Sequence, residues 1–532
     1  MSAFLDYAWE LLSKVVYNIA AVIASIVTLF ITGWVDYFNI FLTYFQTADV
    51  LGKIGVVILF LVLIAIPVLI IVLLVRHFML NHELDKKGTS NKALYREIGR
   101  LNKQVLDLMD EKNKVLALKV NAMGNNIPYS GASALINDKL PTVGNVLGTD
   151  EDGNPIYEDD SNLSYEELRA KALENRFPKL SLVDLKYRNY VYPAFDNEIT
   201  LQKFTENYRY FAASEMKLYY TEEIVRRYVA GMAASRLLIL EGISGTGKTS
   251  LPYSFSRYLD NPATIVSVQP SYRDRTEIVG YFNEFSKRFN ETEFLRAVYE
   301  AGYRLDPSII VLDEVNLARI EYYFAEVLSV LEMPRHDEWV MDLVPTAWDD
   351  DPIRLSEGKI LVPDSLWFVG TANNDDSTFT ITDKVYDRAI PIEINERSAA
   401  FDCPRQERVH VTSEYLQYLF QKAKVEHPIS QSILDDMSKL DQYLQTRFKL
   451  AFGNRIMKQM HDFIPVYVAC GGSELGGMDY IIARKVLKKF ESMNVSYVRD
   501  EIKGLIAYIE KTFGEDGLPD SVSYLQRIQN LY

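Results

Sequence analysis

The sequence predicts an α/β fold with a parallel sheet, a glycine-rich loop and a helical lid, preceded by two transmembrane helices and a short coiled coil. Three observations lead to this prediction. A glycine-rich segment, GISGTGKT at 242–249, directly follows the apolar residues 237–240. Later apolar runs alternate with helical segments, as in parallel sheets that are covered on both faces. Two long stretches near the amino terminus contain no charged residue.

The glycine-rich segment is typical of a phosphate-binding loop. Its glycines let the backbone curl around an anion, Lys248 reaches the β- and γ-phosphates, and the Thr249 hydroxyl can hold Mg²⁺. We therefore predict that the chain binds ATP, with GTP as the alternative, because the loop recognises phosphates and no motif identifies the base. The candidate residues of this loop are Gly242, Ile243, Ser244, Gly245, Thr246, Gly247, Lys248, Thr249 and Ser250.

A second apolar strand ends in two acids, in the segment SIIVLDE at 308–314. Asp313 is predicted to orient the waters of Mg²⁺, so that Asp313 and Thr249 form the candidate metal site. Glu314 is predicted to polarise the attacking water. Together with the loop, these two carboxylates predict hydrolysis of the nucleotide as well as binding.

Three further residues are candidates for contact with the γ-phosphate. Asn373 follows a third apolar strand and can hold the lytic water. Arg388 precedes the apolar run AIPIEI and could reach the γ-phosphate of a neighbouring subunit; the alternative is a surface ion pair with Asp387 or Asp383. Arg455, in FGNRIMKQM, could close on the phosphates from the lid, or it is an ordinary arginine on a helix surface.

The order of these motifs resembles that of AAA+ ATPases, in particular the clade of McrB restriction subunits, MoxR chaperones and dynein-type modules. LLILEGISGTGKTSL, IIVLDEVNLARIEYYFAEVLSVLE and VPDSLWFVGTANNDDSTFTITDKVYDRA carry the resemblance. In the last of these, Asn373 and Asp376 fall on the Asn and Asp of the MNxxD signature of McrB-like proteins. GMDYIIARKVLKKF, at 477–490, is similar to their lid segment. The resemblance covers about residues 200–500.

The resemblance implies an AAA+ P-loop NTPase that forms a homo-oligomeric, hexameric ring and remodels or activates a partner. It also implies a prokaryotic defence role with a separately encoded nuclease or effector. Because McrB uses GTP, the resemblance leaves GTP as an alternative to ATP. Only Arg388 remains of the usual run of finger arginines, so Arg319 is a second candidate for the contact between subunits. Relatives use insertions such as 336–362, which is predicted to form a hairpin, for partner contact.

A scaffold that is ordered by nucleotide, with little hydrolysis, is the rival hypothesis. Asp313 and Glu314 favour the enzyme, whereas the single finger arginine favours the scaffold.

Two apolar stretches predict a membrane anchor over residues 1–80. Ile54–Val75 is uncharged and, at about 1.5 Å per residue, long enough to cross a hydrocarbon core of about 30 Å. Val15–Trp34 is a more polar candidate span, and an aromatic cluster typical of a membrane interface follows it. A secretory signal peptide is the alternative, which Asp6 and Glu10 disfavour.

The basic residues predict the orientation of this anchor. None lies between Lys14 and Lys53, whereas several crowd the stretch after the second span. The positive-inside rule therefore places both termini in the cytoplasm. We expect a two-span protein of the cell inner membrane whose ATPase domain is cytoplasmic.

The rest of the chain divides into four segments. Apolar residues spaced alternately four and three apart from Leu94 to Val115 predict a coiled coil over 81–120, or a single amphipathic helix. An acidic flexible linker is predicted over 121–163. The nucleotide-binding subdomain with its leading helices follows at 164–396, and the helical lid at 397–532.

Composition restricts the remaining function classes. The net charge of -15 argues against a broad basic surface for nucleic acid. It does not exclude a local basic pore inside a ring. Cys403 and Cys470 lack CxxC spacing, so neither a disulfide framework nor a zinc site is predicted. A D-x-K fragment of the kind that nucleases use, Asp184 to Lys186, lacks an upstream acid, and we predict no nuclease centre.

Overall fold

The computed structural model describes residues 33–47, 146–149, 155–157, 164–373, 378–395, 398–492 and 495–531. The chain divides into two units, 1–100 and 101–532. Within the described residues, no helix combines the length and the apolar character that a membrane crossing requires. The predicted spans, apart from residues 33 and 34, and the predicted coiled coil lie outside the described residues.

The first unit contributes helix α1 (Gly33–Thr47), which contains the aromatic cluster that the sequence places after the first span. Phe38, Phe41 and Phe45 recur at spacings of three and four, so their rings share one side of the helix. The rings of Phe38 and Phe41 stack at 6.2 Å, and those of Phe41 and Phe45 at 5.5 Å. Phe38 and Tyr44 are exposed.

The first described elements of the second unit form a small antiparallel ladder inside the stretch that is predicted as a linker. Leading helices follow, and the side chains of Ser164, Thr200 and Thr221 cap three of them by accepting a backbone N–H from the first turn. These elements are β1 (Val146–Thr149), β2 (Pro155–Tyr157), α2 (Tyr165–Glu174), α3 (Pro178–Tyr187), α4 (Leu201–Met216) and α5 (Glu222–Ala234).

The α/β part of the unit alternates strands and helices, as predicted. Its elements are β3 (Leu237–Gly242), α6 (Ser250–Tyr258), β4 (Thr264–Ser267), α7 (Arg275–Ile278), β5 (Gly280–Asn283), β6 (Arg288–Glu291), α8 (Glu293–Ala301), β7 (Ser308–Asp313), α9 (Ile320–Tyr323), α10 (Ala325–Val330), β8 (Val340–Asp342), β9 (Leu355–Ser356), β10 (Lys359–Leu361), β11 (Leu366–Asn373), α11 (Asp383–Tyr386) and β12 (Ile390–Glu393).

Five of these strands form one parallel sheet in the order β12-β3-β11-β7-β4. Successive residues of β3 pack on opposite faces: Leu238 and Leu240 join the core beneath α4, α5 and α6, whereas Leu237 and Ile239 join the core beneath α3 and α8. This two-sided burial explains why the strand is continuously apolar. The predicted parallel α/β sheet is confirmed.

The lid is helical, as predicted. It consists of α12 (Ser413–Glu426), α13 (Gln431–Phe448), α14 (Gly453–Ala469), α15 (Glu474–Ile481), a π-helical segment (Ile482–Val486), a 3₁₀ segment (Leu487–Ser492), α16 (Val495–Phe513) and α17 (Pro519–Leu531). The carboxylate of Asp479 accepts the backbone N–H groups of Asp520 at 2.7 Å and Ser521 at 2.9 Å, which fixes the start of α17 against α15.

The inserted stretch at 336–362 differs from the predicted hairpin. It forms a three-stranded antiparallel sheet in the order β8-β10-β9, with Met341 and Ile360 buried beneath it. Arg176 and Asp351 form a buried ion pair that joins the insertion to the leading helices, with Nη2 and Oδ2 2.5 Å apart. Strand β9 has only two residues, too few to show in the sequence the alternation of apolar and polar residues that indicates a strand.

Asp184, the acid of the D-x-K fragment, has a structural role. Its Oδ1 accepts hydrogen bonds from the hydroxyls of Tyr299 at 2.5 Å and Tyr303 at 2.6 Å, and its Oδ2 accepts the N–H of Ile353 at 3.1 Å. Burial raises the pKa of Asp184, against the lowering effect of these donors. The carboxyl group therefore holds the insertion on α3 and α8.

Replacing Asp184 with Asn is expected to lower the free energy of unfolding by about 1–3 kcal/mol, because the amide cannot accept all three donors. Chemical denaturation of the full-length chain, followed by tryptophan fluorescence, measures this change. The matched control is Asp349→Asn in the exposed part of the insertion, which should leave the transition where it is. Equal shifts in both variants would contradict the structural role of Asp184.

Candidate nucleotide-binding site

The glycine-rich loop connects β3 to α6 at the carboxyl edge of the sheet. The backbone φ angles of Gly242, Gly245 and Gly247 are 144°, 79° and 96°, values that residues with a Cβ atom rarely adopt. At Gly242 a Cβ would also lie 2.2 Å from the carbonyl oxygen of Ile394. The glycines are therefore required by the shape of the loop, and α6 begins directly after it at Ser250.

Lys248 lies inside the curve of this loop and is only 6% exposed. Its Nζ donates to the carbonyl oxygens of Gly242 at 3.0 Å and Ile243 at 2.8 Å. The Thr246 hydroxyl donates to the Ile243 carbonyl at 2.9 Å and closes the turn. The ammonium group is thus held by the backbone at the place where the motif predicts contact with phosphate.

Thr249 and Asp313 lie in direct contact across the gap between the loop and β7. The Thr249 hydroxyl donates to Asp313 Oδ1 at 2.7 Å, and the Thr371 hydroxyl donates to the same oxygen at 2.8 Å. A hydroxyl beside a carboxylate is an all-oxygen set of the kind that Mg²⁺ prefers. These residues fit the predicted metal, which Thr249 and Asp313 would hold.

Glu314 and Asn373, which the sequence predicts to polarise and to hold the attacking water, are also in contact. Asn373 Nδ2 donates to Glu314 Oε1 at 3.1 Å. Glu314 has a left-handed backbone, φ 56° and ψ 52°, which costs a residue with a side chain about 1–3 kcal/mol. Its N–H donates to the Thr371 hydroxyl at 2.9 Å, which supports that conformation. Asn316 Nδ2 in turn donates to the Asn373 carbonyl at 2.8 Å.

Thr371 and Asn316 were not among the sequence candidates, although Thr371 bonds Asp313 and Glu314, and Asn316 bonds Asn373. Thr371 is two residues before Asn373 on β11, so both side chains leave the same face of the strand. That spacing is a signal that could have identified Thr371. Asn316 carried no comparable signal, because its role depends on the turn after Glu314. Asp376, the second residue of the McrB-like signature, lies outside the described residues.

Cationic side chains of the lid reach the same edge of the sheet. Lys488 Nζ pairs with Glu241 Oε2 at 2.5 Å, and Arg484 pairs with Glu393. Glu241 and Glu393 are neighbours in the register of β3 and β12, and Glu241 directly precedes the glycine-rich loop. The lid segment at 477–490 was identified from the sequence, but these two cations were not.

Arg388 lies at the opposite edge of the sheet. Ile390 pairs with Leu238 near the start of β3, so Arg388 is close to the amino ends of the strands, whereas the glycine-rich loop follows their carboxyl ends. The guanidinium is 14% exposed and pairs with Glu332, with Nη2 and Oε1 2.6 Å apart. The ion pair thus involves neither Asp387 nor Asp383, and Arg388 is far from the loop of its own chain.

Arg455 is also away from the glycine-rich loop, contrary to the prediction. It pairs with Glu332, the same carboxylate that binds Arg388. One turn further along α14, Gln459 Nε2 donates to the carbonyl of Asp387 at 3.3 Å, which places this part of the lid at the amino ends of the strands. Arg455 therefore does not close on the phosphates of its own chain. Arg484 and Lys488 of the lid lie closer to the loop.

Arg319, the second candidate for an intersubunit contact, follows β7 on the loop side of the sheet. It is exposed, and its guanidinium lies 5.4 Å from the centre of the Phe379 ring. The structure thus separates the two candidate arginines: Arg388 at the amino edge of the strands and Arg319 at the carboxyl edge.

Comparisons with known proteins identify the domain that carries this site. Residues 237–389 match the AAA domain family (dynein-related subfamily). The EcoKMcrB subunit of the type IV methyl-directed restriction enzyme of Escherichia coli (strain K12) is 23% identical over 234 residues, 42% of this chain and 47% of that protein. The chain therefore spans about half the length of this curated relative.

A solved structure is also similar, a provisionally assigned ATPase from Cytophaga hutchinsonii ATCC 33406. It is 13% identical, the match covers 58% of this chain and 84% of that chain, and the TM-score is 0.33. The family match and the McrB relative together show that the chain contains an AAA domain of the dynein-related, MoxR-like type, distantly related to McrB. Such a domain implies nucleotide binding.

Proposed function

We propose that this chain is a membrane-anchored AAA+ ATPase that forms a homo-oligomeric ring and couples ATP hydrolysis to the remodelling or activation of a partner. The observation that carries the proposal is the continuous set of contacts Thr249–Asp313–Thr371–Glu314–Asn373 at the end of the glycine-rich loop. A site for binding alone needs no carboxylate beside the metal residues. Glu314 in that position favours hydrolysis.

Each residue of this set has a distinct task in the proposed reaction. Mg²⁺, when bound with ATP, would neutralise charge on the β- and γ-phosphates. Glu314 accepts a proton from the attacking water, and Asn373 orients the Glu314 carboxylate through its 3.1 Å hydrogen bond. Lys248 contacts the phosphates from inside the loop. Since Glu314 is held by backbone and side-chain contacts, little reorganisation is needed before proton transfer.

The position of Arg388 supports hydrolysis at subunit junctions. An arginine at the amino ends of the strands cannot serve the loop of its own chain, but a neighbouring subunit in a ring can present its loop to that edge. A ring, hexameric by the resemblance to AAA+ proteins, is therefore the proposed assembly. The alternative is a nucleotide-gated scaffold with little hydrolysis, which the pairing of Arg388 with Glu332 favours.

The proposed location is the cell inner membrane, with two spans over residues 1–80 and a cytoplasmic ATPase. Its support is the uncharged stretch Ile54–Val75 and the excess of basic residues after it. The exposed aromatic residues of α1 agree with an interfacial position between the spans.

The proposed partner is a separately encoded nuclease or effector in a prokaryotic defence system. Its support is the distant relation to a protein that is described as a restriction enzyme subunit. The described residues contain no group of three or more His, Cys, Asp or Glu side chains that could hold a metal ion, and Asp184 is a structural acid. GTP in place of ATP is the alternative substrate. Direct contact with nucleic acid would require a local basic pore, as in the sequence-based expectation.

Phosphate release by the full-length protein in mild detergent is expected to rise more than linearly with protein concentration, because each active site needs a second subunit. ATP and GTP are compared in parallel, and Lys248→Ala should abolish turnover with both. Lys287→Ala, at an exposed position in the β5–β6 turn, is the control and should match the unmodified protein. Tight nucleotide binding without turnover would favour the scaffold, and a preference for GTP would replace ATP as the substrate.

A further inference from the structure

A buried lysine of the lid contacts the turn that carries Arg388. Lys485 lies in the π-helical segment and is 4% exposed. We call residues 386–389, which include Arg388, the finger turn. The Lys485 Nζ donates to three carbonyl oxygens of the finger turn, those of Tyr386 at 2.7 Å, Asp387 at 3.2 Å and Ala389 at 2.8 Å.

The three bonds define the position of the finger turn relative to the lid. Burial of an ammonium group is unfavourable and lowers the pKa of Lys485 to about 7, with the nearby Asp387 acting in the opposite direction. An apolar side chain would fill this space at less cost. The ammonium, in contrast, bonds carbonyls on both sides of Arg388, so that the turn cannot rotate without breaking a hydrogen bond.

The same lid segment also contacts the stem of the glycine-rich loop. Arg484, adjacent to Lys485, pairs with Glu393, and Lys488 pairs with Glu241 at 2.5 Å. Lys488 Nζ also lies 3.9 Å from the centre of the ring of Tyr386, which belongs to the finger turn. The lid segment and the finger turn are therefore fixed to each other and to the residue before the loop.

We infer that Lys485 is a positioning residue for Arg388, through which the lid of each subunit sets the arginine presented to the next active site. The inference rests on the proposed function, in which Arg388 acts at a subunit junction. It also says in which direction two active sites are coupled. When the lid of one subunit moves in response to that subunit's own nucleotide, the finger turn moves with the lid, and Arg388 moves at the next active site. The relevant consequence is that loss of Lys485 should impair the neighbour's site and leave its own site intact.

Mixed oligomers test this consequence. A Glu314→Gln subunit lacks its own base but keeps Arg388, whereas an Arg388→Ala subunit keeps its own site but lacks the finger. Full-length Lys485→Met is co-expressed with each of these in turn, with different affinity tags, and turnover is measured on doubly purified oligomers. Lys424→Met is the control, because Lys424 joins α12 to α14 through Asp462 at 2.7 Å and does not contact the finger turn.

Lys485→Met alone is expected to lower turnover about 10- to 100-fold, as small displacements of catalytic groups do, with nucleotide affinity within about twofold. Activity should return with the Glu314→Gln partner and not with the Arg388→Ala partner. Lys485→Arg, which keeps a cationic donor, should retain more turnover than Lys485→Met, and Lys424→Met should stay near full activity.

Three results would overturn the inference. Rescue of Lys485→Met by Arg388→Ala would place the defect in its own site, rescue by neither partner would indicate a general structural defect, and unimpaired turnover would show that Lys485 is dispensable. The mixture of Glu314→Gln with Arg388→Ala tests the proposed function separately. If that mixture stays inactive, catalysis does not occur at subunit junctions, and the inference fails with it.

Discussion

Replacing Glu314 with Gln is expected to abolish phosphate release while the protein still binds nucleotide. Gln has the same shape, and its carbonyl oxygen can still accept the hydrogen bond from Asn373. What is lost is the ability to take a proton from water, which is worth about 10²- to 10⁴-fold in rate. Because bound nucleotide is then not consumed, the oligomer should also become more stable.

Two measurements on the full-length protein check this prediction. Phosphate release should fall to background, and binding of a fluorescent nucleotide should be unchanged or tighter. Glu277→Gln, an exposed acid on α7, is the matched control and should behave as the unmodified protein. A Glu314→Gln protein that turns over normally would show that Glu314 is not the base. Under the scaffold hypothesis its assembly would also be unchanged.

The parallel sheet and most of the site were predictable because they rest on local patterns. The strands at 237–242 and 308–313 are apolar on both faces, and each ends in the residues that a nucleotide site requires. Parallel strands bring such ends to one edge, so the sequence predicts that Thr249, Asp313 and Asn373 approach each other. The structure joins all three through one network that also includes Thr371.

The sequence-based prediction was wrong for Arg455, whose partner lies far away along the chain. Arg455 occupies a lid helix, as expected, but it pairs with Glu332, which lies more than a hundred residues earlier. No spacing pattern connects these two positions. Lys485 was missed for a different reason: a lysine normally indicates an exposed position, and its burial depends on three carbonyl groups that only the folded chain brings together.

Replacing Arg388 with Ala is expected to lower turnover by about 10³-fold or more, the usual contribution of an arginine that stabilises the transferring phosphoryl group from a neighbouring subunit. Nucleotide affinity should change little, because Arg388 lies at the edge of the sheet away from the loop of its own chain. Steady-state turnover and fluorescent-nucleotide binding measure the two quantities. Arg335→Ala, an exposed arginine, should change neither.

Parallel variants decide between a finger and an ion pair. If Arg388 acts only by pairing with Glu332, then Arg388→Ala and Glu332→Gln should destabilise the fold by similar amounts. The turnover per folded molecule should then be the same in both variants as in the unmodified protein. If Arg388 is the finger, only Arg388→Ala should show the large loss of turnover. Glu332→Gln should retain or increase turnover, because Glu332 holds the guanidinium at 2.6 Å and competes with a neighbour's phosphate for it. A large loss confined to Arg319→Ala would instead assign the intersubunit contact to Arg319.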